Sequence, residues 1–234
     1  MKSGYVVGVR AVRRALAVFG VLALLDRWAA RSRIGLWVRS LLSIHDLEDL
    51  LPHDVPWWTF RASDRVAEFL AARPGARVFE WGSGASTAWL SRRAGSVTSV
   101  EHDATWAAIV RPVLPPSAAV HIVAPAPATG DPAEELSQKP GFKGLDFGDY
   151  VRAVDDADGP FDLIVVDGRA RGACFRRAIT RLAPDGVLVF DNVDRPRYRD
   201  AIAASPVAVE VEWTRGLTPA LPYPTRTALV RLRA

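Results

Sequence analysis

Three patterns of apolar positions follow one another along the chain. Residues 15–25 are continuously apolar, and between 34 and 51 Leu36, Trp37, Leu41, Leu42, Leu47 and Leu50 recur at roughly helical spacing until Pro52 ends the pattern. From residue 64 onward, short helix-like stretches alternate with short apolar runs. The spacing predicts helices over 65–72, 85–93, 105–114 and 172–182, and strands over 77–81, 97–101, 119–123, 161–167 and 186–191. The runs FDLIVVD and GVLVFD are nearly unbroken, as expected of central strands covered on both faces. The last two strands, 207–213 and 227–232, are separated by a proline-rich loop, which predicts an antiparallel hairpin at the sheet's edge. The expected fold is therefore a doubly wound, mostly parallel α/β sheet of seven strands. Residues 1–55 read as a helical extension ahead of a main domain over 56–234. The polar, proline- and glycine-rich segment 124–145 reads as a mobile lid or a disordered insertion.

Composition narrows the class. With 49% hydrophobic and 24% charged residues among 234, a disordered or fibrous chain is excluded. The single cysteine, Cys174, can form neither an intramolecular disulfide nor a multi-thiolate zinc site, so a reducing cytoplasm is the default compartment. The net charge of +4 is unevenly placed: residues 1–40 hold eight basic side chains against Asp26 alone, a balance of +7, which leaves −3 for the rest. A slightly acidic body argues against a nucleic-acid substrate, because phosphate binding needs clustered cations on the docking face.

The apolar run at 15–25 is eleven residues long, short of the roughly 20 that cross a bilayer as a helix. Extending it back to Val6 takes in Arg10, Arg13 and Arg14, which disfavour a span. No small-residue cleavage site follows, so a removable signal peptide is not expected. Two readings stand: a helix packing its apolar side on the protein's own body, or peripheral membrane contact through residues 6–28. In the second, arginines would meet anionic lipid while Phe19, Leu22, Leu25 and Trp28 enter the headgroup boundary.

The chemistry-bearing residues cluster after the predicted strands. In VFEWGSGAST, Gly82 and Gly84 stand between a strand and a helix, where glycines let the backbone turn sharply and approach a nucleotide. Glu101 ends the next strand, 21 positions after Glu80, where a carboxylate can accept both hydroxyls of an adenosine ribose. Thr87 occupies the third position of the dinucleotide fingerprint in place of Gly or Ala, which argues against a nicotinamide cofactor.

On these residues the chain resembles class I S-adenosylmethionine-dependent methyltransferases. The matching segments are E-x-G-x-G (Glu80, Gly82, Gly84), VTSVEHD around Glu101, FDLIVVDG around Asp167, and LAPDGVLVFDNV, spread over residues 56–232. The resemblance implies a Rossmann-like methyltransferase fold with a terminal hairpin and S-adenosylmethionine as cofactor. It puts Glu80 and Gly82 at the methionine portion, with Ser83, Gly84, Ser86 and Thr87 along the same turn. Glu101 would hold the ribose, and His102 and Asp103 would lie by the adenine.

On the acceptor side, Asp167, Asp191 and Asn192 are predicted beyond the strand ends. They are oxygen ligands of the kind Mg²⁺ prefers, and their pattern resembles the metal site of cation-dependent small-molecule O-methyltransferases, where the metal lowers the pKa of a bound hydroxyl. In the alternative reading Asp167 touches the cofactor and Asp191 and Asn192 form a turn or cap before Pro196. Either way Asp167 and Asp191 are the catalytic candidates. Asp167, Gly168 and Arg169 stand where the amine-methylating branch has [DNS]-P-P-aromatic, which favours an oxygen acceptor. Arg169 and Arg171 can bind an acidic substrate group or form a solvated helix start. Trp57 and Trp58, in PWWTF, can line the pocket or pin the N-terminal helices. The expected function is methyl transfer to a small molecule at oxygen. The alternatives are an NAD-linked or nucleotide-sugar oxidoreductase, and a non-catalytic, membrane-peripheral cofactor-binding protein.

Overall fold

The computed structural model describes residues 2–43, 46–128, 135–137 and 141–233, with the backbone alone for 2–7 and 10. Residues 129–134 and 138–140 of the predicted lid or insertion, and the Val6 and Arg10 side chains, therefore lie outside the described residues.

Strands form at the apolar runs: β1 (Arg77–Trp81), β2 (Ser96–Glu101), β3 (Ala118–Ile122), β4 (Phe161–Val166), β5 (Leu182–Asp191), β6 (Val209–Gly216) and β7 (Thr225–Leu232). Their order across the sheet is β3-β2-β1-β4-β5-β7-β6. The first five run parallel, and β7 is antiparallel to both β5 and β6. This is the expected doubly wound sheet with a hairpin at one edge. Strand β5 starts four residues earlier than its apolar run, because Leu182 pairs with Phe161 before the register shifts to join Val187 with Leu163.

The helices are α1 (Lys2–Val18), α2 (Val21–Ala29), α3 (Arg33–Ser40), α4 (Leu47–Leu50), α5 (Phe60–Ala71), α6 (Ala85–Ser91), α7 (Ala104–Val110), α8 (Gly148–Arg152), α9 (Arg171–Ile179) and α10 (Pro196–Ala203). Side chains alternate along β1: Val78 joins Trp58, Val66 and Leu70 under α5, while Phe79 and Trp81 join Cys174, Phe175 and Phe190 under α9. Each such side chain contributes roughly 1.5–3 kcal/mol by leaving water. Strand order reverses at β1, so a crevice opens beyond the carboxyl ends of β1, β2 and β4.

The helix expected over 34–51 is broken. After α3 come a 3₁₀ turn at Leu41–Ser43 and the short α4, capped by Asp46. A buried ionic knot explains the break. Arg39 donates from Nε to Asp26 at 2.7 Å and from both terminal nitrogens to Asp49 at 2.8 and 2.9 Å, and Ser43 donates to Asp49 at 2.6 Å. Arg13 of α1 pairs with Asp46 and Asp49, each at 2.9 Å. Burial opposes the charge of Asp49, but Arg39 and Ser43 outweigh it and hold its pKa far below the usual range. So folded back, Leu47, Leu50 and Val55 pack against Ala85, Ala107 and Val110 of α6 and α7. Among the described residues no helix is long and apolar enough to cross a membrane. Of the side chains expected at a lipid boundary, Phe19 and Trp28 are exposed, whereas Leu22 and Leu25 turn partly inward.

Candidate active site

The turn after β1 is built on two glycines that touch. Gly82 has φ +96°, and a Cβ there would come within 2.9 Å of the Gly168 Cα. A Cβ on Gly168 would fall 1.9 Å from the Tyr150 hydroxyl and 3.0 Å from the Trp81 carbonyl carbon. Only glycine fits at both positions, and the two strand ends close on each other backbone to backbone.

Glu80 lies beneath this turn. It is fully buried, and its carboxylate accepts from Ser86 and Thr87, both at 2.5 Å, and from Ser99 at 3.0 Å. Burial pushes its pKa up to about 7 against the pull of these three hydroxyls. The sequence-based assignment is corrected here: Glu80 and the fully buried Thr87 fasten α6 to β1 and β2 and do not line the crevice.

Glu101 faces the turn. Ser83 donates its N–H at 3.1 Å and its hydroxyl at 3.2 Å to Oε2, while Oε1 accepts the N–H groups of His102 at 2.7 Å and Asp103 at 2.9 Å. His102 Nδ1 lies 2.5 Å from the same Oε1, and its Nε2 accepts from Arg169 Nε at 3.2 Å. Burial disfavours the Glu101 charge, but His102 and the surrounding N–H donors prevail and keep its pKa below the ordinary value. A chain from Glu101 through His102 to Arg169 thus bridges the ends of β2 and β4. Arg169 also lies over the Phe142 ring, 5.7 Å from its centroid.

A cavity of about 800 Å³ runs from Ser83 and Glu101, past Asp167 and Arg169, to Asp191 and Leu221. Asp191 is 2% exposed and accepts from Thr227 Oγ1 at 2.7 Å and Asn192 Nδ2 at 2.6 Å. Burial, then the nearby Asp167 charge, push its pKa up to about 7, with Arg171 opposing. Burial also raises the pKa of Asp167, against Arg171, the facing Trp58 indole N–H and Arg169.

Arg171 spends every N–H on the chain itself. Nε donates to the Gly168 carbonyl at 3.0 Å, Nη1 to the Asp191 carbonyl at 2.9 Å and Asn192 Oδ1 at 3.1 Å, and Nη2 to the Asp167 carbonyl at 2.6 Å and Oδ1 at 2.7 Å. It clamps the ends of β4 and β5 and keeps no donor for an acceptor molecule, which corrects its expected substrate role. The same geometry bears on Mg²⁺. A guanidinium already neutralises Asp167 and touches Asn192, and among the described residues no cluster of three acidic, histidine or cysteine side chains could hold a metal ion. The trio Asp167, Asp191 and Asn192 does not fit a divalent cation.

Of the paired tryptophans, Trp57 lines the cavity, while Trp58 is fully buried in the core, edge-on to Trp89 at 5.9 Å. The expected substrate contact of Trp58 is corrected accordingly. Sequence reasoning missed Trp106, whose Nε1 donates to the Ser83 carbonyl at 2.8 Å, and the loop between β6 and β7, whose Leu221 and Tyr223 close the far wall. A usable signal existed: a hairpin strand antiparallel to β5 must begin at the site end of the sheet, so the apolar loop before it lies there too. The N-terminal helices fix that loop, Trp37 Nε1 donating to the Leu221 carbonyl at 2.8 Å and Ser40 Oγ accepting the Ala220 N–H at 2.9 Å.

Residues 79–193, which contain the turn, Glu101, Asp167 and Asp191, match a family model described as a methyltransferase domain. These residues are a methyltransferase domain. This methyltransferase has the fold of TomG, the O-methyltransferase from Streptomyces achromogenes involved in tomaymycin synthesis and solved with SAM. The two align at TM-score 0.55 and 17% identity, over 83% of this chain and 90% of TomG. Cofactor-bound Rv0187 from MTB gives a TM-score of 0.56 at 19% identity, over 83% of this chain and 89% of its own. No curated protein matches the methyltransferase chain.

Proposed function

We propose that this methyltransferase acts on an oxygen of a small molecule with a flat, apolar body, and that Glu101 anchors the ribose of S-adenosylmethionine. The observation that carries the reading is the carboxylate of Glu101, turned to the glycine turn at one end of a cavity whose other end holds Asp191. Its volume of about 800 Å³ lies within the usual range for cofactor sites. Ser83, the only side-chain hydroxyl on Glu101 among the described residues, can release it to the two ribose hydroxyls. His102 and Asp103 flank the adenine, the backbone at Gly82, Ser83 and Gly84 runs beside the methionine portion with Ser86, and Asp167 faces its amino group. Trp57, Leu221 and Tyr223 offer the acceptor an apolar bed, and the terminal nitrogens of Arg169 are left for a polar substituent on it.

When bound, the cofactor supplies a methyl group on a sulfonium, which transfers by in-line displacement. As the acceptor oxygen forms its bond to the methyl carbon and the carbon–sulfur bond breaks, the hydroxyl proton passes to the Asp191 carboxylate. Its pKa of about 7 suits a base working near neutrality. The shared fold with TomG, an O-methyltransferase, supports oxygen as the acceptor atom. Calorimetry tests the reading: S-adenosylhomocysteine is expected to bind, Glu101→Ala to abolish binding with the fold intact, and NADH to give no heat. Binding of NADH alone would overturn it.

A further inference from the structure

We propose that α2 and the turn before it form a docking surface for an anionic lipid bilayer. This surface stands apart from the active site and does not depend on the methyl-transfer reading. Val18 and Phe19, beside Gly20 at φ +70°, are 82% and 79% exposed. Along α2, Val21, Leu24 and Trp28 continue the exposed apolar stripe at helical spacing, while Leu22, Leu25 and Ala29 turn inward. The helix is therefore apolar on two sides, and packing on the body accounts for only one of them.

The cations around the stripe select its partner. Arg13, Arg33 and Arg39 are paired with Asp46 and Asp49, with Asp64, and with Asp26 and Asp49. Arg14, Arg27 and Arg31 are exposed and make no ion pair among the described residues. Arg14 stands one helical turn before Val18, Arg27 borders Leu24 and Trp28 on the helix wheel, and Arg31 follows in the turn just after α2. An apolar stripe edged by free arginines is complementary to a headgroup layer that is anionic outside and apolar beneath. A second copy laid face to face would set these arginines against their own kind. Because no described helix is long and apolar enough to span, the segment would lie in the plane of the interface.

Cosedimentation with vesicles tests the proposal. The intact chain is expected to pellet with vesicles of phosphatidylcholine and phosphatidylglycerol, to remain in solution with phosphatidylcholine alone, and to release as salt is raised. Leu24→Glu should abolish pelleting with an unchanged melting curve. Should that variant misfold, the double variant Arg27→Gln, Arg31→Gln, at exposed positions, should weaken partition on the order of tenfold. No pelleting with anionic vesicles, equal pelleting with neutral ones, or full binding by the variants would overturn the proposal. So would a dimer in sedimentation equilibrium that Leu24→Glu dissociates, because the stripe would then belong to a second copy.

Discussion

Gly168 and Tyr150 occupy nearly the same space, since the tyrosine hydroxyl stands 1.9 Å from where a Cβ on Gly168 would be. That hydroxyl is buried and makes no hydrogen bond of normal geometry among the described residues. Gly168→Ala should therefore destabilise the protein by about 1–3 kcal/mol through overpacking. Tyr150→Phe alone should be close to neutral. The double variant should recover part of the loss, the remainder coming from the Trp81 backbone at 3.0 Å. Urea denaturation of the four proteins gives the cycle, and additive losses would show that the two side chains do not compete.

Glu80 sets a pH dependence of stability. Its pKa rises from 4.5 in water to about 7 in the fold. Between those values the unfolded chain has released its proton while the folded chain keeps it, so stability falls as pH rises from about 4.5 to 7 and then levels off. The shift corresponds to roughly 3 kcal/mol. Asp191 adds a slope of the same sign. Glu80→Gln cannot ionise, so denaturation midpoints measured across this range should lose a large part of their decline.

The strands and the glycine turn were legible because their signals are local: unbroken apolar runs, and two glycines directly after one of them. Glu101 was legible for a related reason, as it ends β2 beside β1 and must face the same crevice. Glu80 was misread because its burial depends on Ser86, Thr87 and Ser99 reaching it together, one of them from the neighbouring strand. Arg171 was misread because most of its partners are backbone carbonyls, which no residue type announces. The acceptor wall is hardest to foresee, since it joins residues 37 and 40 to residues 220 and 221.

That wall gives a prediction about the N-terminal helices. Ala220 holds φ +62°, a conformation rare for alanine, with its N–H on Ser40 Oγ. Ser40→Ala removes a bond of about 1 kcal/mol. Hydrogen exchange over residues 217–224 should then accelerate about fivefold, while exchange at the glycine turn and S-adenosylhomocysteine affinity stay unchanged. Trp37→Phe, which frees the Leu221 carbonyl, should act in the same direction.

Asp191 yields the mechanistic prediction. A base must be deprotonated to act, so with a phenolic acceptor found by screening, kcat/KM should rise with pH and level off above about 7. Asp191→Asn should lower kcat by roughly 10²–10⁴-fold, the usual contribution of a positioned base, with S-adenosylhomocysteine affinity retained. Because the Arg171 guanidinium sits against Asp167 and Asn192, a chelator should leave the rate unchanged and added Mg²⁺ should not raise it. A flat pH profile together with full activity in Asp191→Asn would move the proton acceptor elsewhere. Chelator inhibition reversed by Mg²⁺ would mean that Arg171 swings out of the position described here.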